Sequence, residues 1–99
     1  MTRRRPKSAT IGGRRFRLRW VTYLGKHEKG RTVGHCTDPK LTGRCIRILS
    51  GLSDEDEMDT LIHEALHALS WELFDETWVE KSASDIARLL RHAGFGRRA

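Results

Sequence analysis

A chain of 99 residues has room for one domain around one small core. Apolar residues make up 37% and charged residues 32%, a balance that suits a soluble globular domain near the size where a metal ion helps to hold a fold. No apolar run is long enough to cross a membrane and none follows the basic N-terminus, so the expectation is a cytoplasmic protein without a secretory signal.

The formal net charge is +6, unevenly placed. "TRRRPK" at 2–7, "GRRFRLR" at 13–19 and "GRR" at 96–98 are basic, whereas 53–80 is acidic. The basic tails are an expected nucleic-acid contact, set against the plainer reading of solvated surface.

Residues 1–10 read as a disordered basic tail, and 11–95 as a single domain. "RRFRLRWVTYL" then alternates. Phe16, Leu18, Trp20 and Thr22 share one face, and Arg15, Arg17, Arg19 and Val21 the other, which predicts a strand with one wet side. "GKHEKGRT" at 25–32 is a turn by composition. "TVGHC" at 32–36 predicts a short second strand, "TDPKLTG" at 37–43 a loop, and "RCIRIL" at 44–49 a third strand. Cys36 and Cys45 are expected as reduced thiols, spaced so that they could face each other across a hairpin.

The character changes at "SGLSDEDEMDTLIHEALHALSWELF". Ser53 can cap a helix whose first turn holds Asp54, Glu55, Asp56 and Glu57, acids that complement the helix dipole. Met58, Leu61, Ile62, Ala65, Leu66, Leu69 and Leu73 follow at helical spacing and carry the helix to about 74–75. A second helix over 77–92 is expected to bury Val79, Ala83, Ile86, Leu89 and Leu90 and to stop at Gly94. The short link makes the two helices antiparallel neighbours, with Trp71 and Trp78 beside the turn as core plugs. The expected fold class is α+β: a small antiparallel sheet of about three strands followed by an antiparallel helical hairpin.

"HEALH" at 63–67 carries the chemistry. Residues four apart lie one turn apart on one helix face, so His63 and His67 can converge on one ion. Zinc accepts imidazole nitrogen, and a catalytic zinc keeps three protein ligands and a water. Glu64 sits too far round to be a good ligand but can reach a zinc-bound water as general base. This is the mechanics of H-E-x-x-H on a helix. The bland alternative is two ordinary histidines on an apolar helix. Glu80 is the first choice of third ligand, because an antiparallel hairpin brings it level with His67; Glu76 and Asp75 are the alternatives. "TWVE" at 77–80 also fits a capping box, in which Glu80 would bond only the local backbone. Tyr23, His35 and His27 are candidate donors to a tetrahedral intermediate. Strand 44–49, if it lies at an edge, could hold an extended peptide.

"TLIHEALHALSWELFDETWVEKSASDIARLLRHAGF" resembles the small HExxH proteins of phages and prophages, minimal zincin-fold metallopeptidases akin to the ImmA/IrrE-type and SprT-like groups. The resemblance is tight over 61–95 and loose over the strands, where "GHCTDP" and "IRIL" fit the same layout. It implies a zincin-like fold, Zn2+ as cofactor, ligand roles for His63 and His67, and the base role for Glu64. In ImmA/IrrE-type proteins a glutamate in an E-x-x-A…A segment completes the site. Glu80, Ala83 and Ala87 match that pattern, while Ser82 and Ser84 depart from its usual residues. Two functions follow as expectations. One is a zinc-dependent metallopeptidase acting on a peptide or protein substrate. The other is a non-catalytic, zinc-stabilised module that binds nucleic acid or protein.

Overall fold

The computed structural model describes residues 5–27, 30–72 and 75–95. Strands β1 (Ser8–Ile11) and β2 (Arg14–Val21) form a hairpin, and β3 (Lys26–His27) and β4 (Gly30–Arg31) form a second, separate one. Strands β5 (Gly34–Cys36) and β6 (Cys45–Leu49) follow, then helices α1 (Asp54–Leu69) and α2 (Glu76–His92). The architecture is α+β, but the sheet is not three antiparallel strands. It has four strands in the order β1-β2-β6-β5, and β2 pairs with β6 in parallel.

Composition explains the order. In β6, Cys45, Ile46, Ile48 and Leu49 are all buried and only Arg47 is exposed, which is the pattern of a strand covered on both sides. It therefore takes the centre, between β2 and β5, and is not the edge expected of 44–49. The short, glycine-containing β5 takes the edge. Its antiparallel register sets Cys36 opposite Ile46, with Cys45 one residue further along on the other sheet face. The two cysteines are free thiols on opposite faces and do not meet across the hairpin.

Alternation in β2 works as predicted. Phe16 is fully buried, and Leu18 and Trp20 turn the same way, into a core with Ile46, Ile48, Cys36 and Ala68. Helix α1 lies across this face and α2 packs on α1. Ser53 caps α1 as expected, its side chain accepting from the Asp56 amide at 3.1 Å. The helix ends at Leu69, five residues earlier than predicted, and Leu73 and Phe74 lie outside the described residues. Its most buried positions are Glu57, Thr60, Glu64 and Ala68, rather than the leucine stripe. Leu61 does reach the core, but Leu69 is 56% exposed at the helix end.

In α2 the buried positions are Val79, Ala83 and Ala87, four apart, so one small-residue face meets α1. Ile86 and Leu89, predicted to be buried, are exposed. Trp71 and Trp78 are also exposed and do not plug the core. Asp75 caps α2, accepting from the Trp78 amide at 2.7 Å, so the cap lies ahead of the "TWVE" box.

The basic tail is partly built into the fold. Residues 1–4 lie outside the described residues, but Ser8–Thr10, inside the expected tail, belong to β1. Ahead of them, the Lys7 carbonyl accepts from the Leu18 amide at 2.9 Å. The Arg5 guanidinium lies 5.0 Å from the Trp20 ring centroid and donates to Glu57 Oε1 at 2.8 Å. Trp20 Nε1 donates to the same oxygen at 3.0 Å. Glu57 is only 2% exposed, so these donors compensate a buried carboxylate. Trp20→Phe removes one of them while keeping most of the ring, and we expect a loss of about 1.5–3 kcal/mol in urea unfolding. A loss under about 0.5 kcal/mol would show that the indole bond contributes nothing.

Candidate metal centre

Helix α1 brings the motif together. The rings of His63 and His67 stand edge to face with centroids 5.0 Å apart. Glu76, the first residue of α2, reaches across the hairpin and bridges them. Its Oε1 lies 2.9 Å from His63 Nε2, and its Oε2 lies 2.9 Å from His67 Nε2. Each of the three offers one donor atom, all within 4.8 Å of one another; among the described residues this is the trio that could hold a metal ion.

Glu76, rather than the expected Glu80, is thus the carboxylate that meets both histidines. The early end of α1 is the reason. His67 lies two residues before the helix stops, so the first turn of α2 comes level with it. Glu80 sits one turn further along α2 and lines the neighbouring groove with Asp56, Asp59, Thr60 and Ser84. Asp75, the other alternative, is committed as the helix cap.

The three donors, all within 4.8 Å of one another, are spaced closely enough for a tetrahedral ion after small side-chain adjustments. Ligand bonds of about 2.0–2.1 Å separate ligand atoms by about 3.3–3.4 Å, so donors now 2.9 Å apart need to open by about half an ångström. Glu76 is exposed, and its long side chain can make that adjustment. Two imidazoles and a carboxylate are also the donor set of several catalytic zinc sites, which leave a fourth position open.

Glu64 differs from its neighbours. It is 6% exposed, and no group among the described residues is seen to hydrogen-bond its carboxylate. Burial, and then the negative charge of Glu76, push its pKa up from the ordinary 4.5 to about 7. The burial depends on Gly34. A Cβ at that position would come within 2.5 Å of the Thr60 methyl and 2.8 Å of Glu64 Oε2, so only glycine lets β5 and α1 approach this closely. The lone glycine in "TVGHC" was the available sequence signal for this contact.

Two open depressions meet at the site. One, of about 720 Å³, runs past His63, Glu64, Glu76 and Glu80. The other, of about 480 Å³, is lined by His35, Cys36, His67 and Trp71 among others. His35 lies along this depression, but its register opposite Arg47 turns its side chain to the sheet face away from the helices. Tyr23 lines neither depression, and the side chain of His27 lies outside the described residues. Burial, and secondarily Glu64, push the Cys36 thiol up to about 12, so it stays protonated, and its Sγ lies 3.4 Å from the Thr37 carbonyl. Trp71, missed as a site residue, stacks edge-on to His67 with centroids 6.0 Å apart. Compared with family models, with curated proteins and with solved structures, the chain matches none.

A carboxyl whose folded pKa is raised binds its proton more tightly in the folded state. Its stability contribution is complete below about pH 4.5 and is lost as pH rises through about 7. Metal-free Glu64→Gln should therefore match wild type near pH 4.5 and exceed it at pH 8 by up to about 3 kcal/mol. Thermal unfolding in chelator across that range checks this; a difference independent of pH would contradict it.

Proposed function

We propose that the chain is a zinc-dependent hydrolase of peptide bonds, a minimal zincin-like metallopeptidase in which His63, His67 and Glu76 hold the ion. The observation that carries this reading is Glu64, a buried carboxylate without a seen hydrogen bond, poised near neutrality and adjacent to a ligand histidine. A general base is most effective when its pKa lies near the working pH.

Zinc in that position would supply a Lewis acid and lower the pKa of water to about 7. The chain's own residues do the rest. Glu64 accepts the proton of the attacking water and returns it to the leaving amine. The edge strand β5 offers backbone groups to an extended peptide, the role first considered for 44–49. Asp56, Asp59 and Glu80 line the groove beyond His63, which favours substrates with basic side chains there.

The test is cleavage of a mixed peptide library by zinc-loaded protein, read by mass spectrometry. Wild type should cut, with lysine or arginine enriched near the cleaved bonds. Glu64→Gln should lose at least about a hundredfold in rate while keeping its zinc. Zinc-loaded wild type that cuts no peptide would sink the proposal and leave a non-catalytic, metal-stabilised module.

A further inference from the structure

Charge is segregated along the chain more sharply than the net value suggests. Residues 1–53 hold fourteen Lys or Arg against two acids, Glu28 and Asp38; residues 54–99 hold five Lys or Arg against eleven acids. The fold turns this into a spatial separation. The first part makes the sheet and the second makes both helices, of which α1 covers one side of the sheet and α2 packs on α1.

On the other side Cys45 and Leu49 of β6 are buried, and the exposed positions beside them are basic. Phe16, Leu18 and Trp20 face the helices, so Arg15, Arg17 and Arg19 face away from them, and all three are exposed. The β2–β6 register puts Arg47 directly beside Arg19, on the same face. Paired strands lie about 4.8 Å apart and alternate residues of one strand about 6.6 Å apart, so the four guanidiniums spring from a patch about 13 Å long on β2 and two strands wide. Like charges directly opposite destabilise a sheet, and a fold with free choice would set a carboxylate or threonine in one of these places. Here none is supplied. Arg15 donates to the Ser8 hydroxyl at 2.8 Å, and no carboxylate among the described residues is seen bonded to Arg17, Arg19 or Arg47.

We infer that this outer sheet face binds the phosphate backbone of a nucleic acid. Guanidinium groups recognise phosphate through paired N–H donors, and a repeating polyanion answers several of them at once. No large apolar side chain of β2 or β6 is exposed on this face. That disfavours a membrane surface, which would take inserted apolar groups, and base stacking, which would take aromatic ones. The contact is thus to phosphates and carries little sequence preference. It moves the expected nucleic-acid contact from the tails to the sheet. It also leaves the metal centre free, since that lies on the helical side. This inference does not depend on the hydrolase reading.

The test is fluorescence anisotropy of the full-length protein with a labelled single-stranded and a labelled duplex oligonucleotide over a salt series. Four phosphate contacts give a log–log salt slope of about −3 on a single strand and −4 on a duplex, or roughly a hundredfold loss between about 50 and 200 mM salt. Arg19→Thr with Arg47→Thr should halve the slope without lowering the unfolding midpoint. Arg19→Lys with Arg47→Lys should keep the slope. Lys81→Ala with Arg88→Ala, on α2, should change nothing. Absence of binding at about 50 mM salt would overturn the inference. So would an unchanged slope in the threonine pair, which would assign binding to the tails, or tighter capture by phosphatidylserine vesicles than by either oligonucleotide.

Discussion

Helix α1 buries two carboxylates against the sheet, and it treats them differently. Glu57 and Glu64 lie seven residues apart, two turns of helix, and so share the face that meets the strands. Taking a carboxylate out of water costs several kcal/mol unless donors replace the lost solvent. At Glu57 the Arg5 guanidinium and the Trp20 indole do so, and the N-terminal arm is drawn onto the sheet as a result. At Glu64 no donor is seen among the described residues, and the carboxylate holds a proton far more tightly than an exposed one would. One buried acid helps to fix the fold; the other lies beside two histidines with its pKa raised.

The position of the hairpin turn decides what those histidines meet. Because α1 stops at Leu69 and Asp75 caps α2, the first residue of α2 is Glu76, and its two oxygens reach both imidazoles. Ala83 and Ala87 let the helices lie close enough for this bridge, and the Lys40–Glu72 ion pair at 2.7 Å ties the turn to the loop before β6. On the opposite flank Gly34 brings the edge strand against Glu64. Three backbone choices thus converge on one site: an early helix end, a small-residue helix face and a glycine in an edge strand.

Much of this was legible in the sequence, and the parts that were not have physical causes. The period-two run in 15–21 and the Ser53 cap depend on local chemistry, and both are present in the fold. The pair His63 and His67 depends only on helix geometry, and it converges as spacing requires. The end of α1 was not legible, because no Gly or Pro lies between 66 and 76 to mark it. A helix carried on to 74–75 is what set Glu80 level with His67 and ahead of Glu76. Strand order was also hidden. Chain order suggests a meander, whereas the double burial of β6 places it in the middle, and burial on both faces is a tertiary property. The leucine pattern of α1 was real but pointed only partly inward, since the closest approach to the sheet is made by Thr60 and Glu64 under a glycine.

The central claim is that His63, His67 and Glu76 form one zinc site. Zinc per chain in protein purified without added metal, measured side by side for wild type, Glu76→Ala and Glu80→Ala, tests it most directly. The account predicts about one zinc in wild type and in Glu80→Ala, and a large loss in Glu76→Ala. Loss in Glu80→Ala with retention in Glu76→Ala would move the site one turn along α2. No zinc in a folded wild type would reduce the histidine pair to an ordinary helix surface.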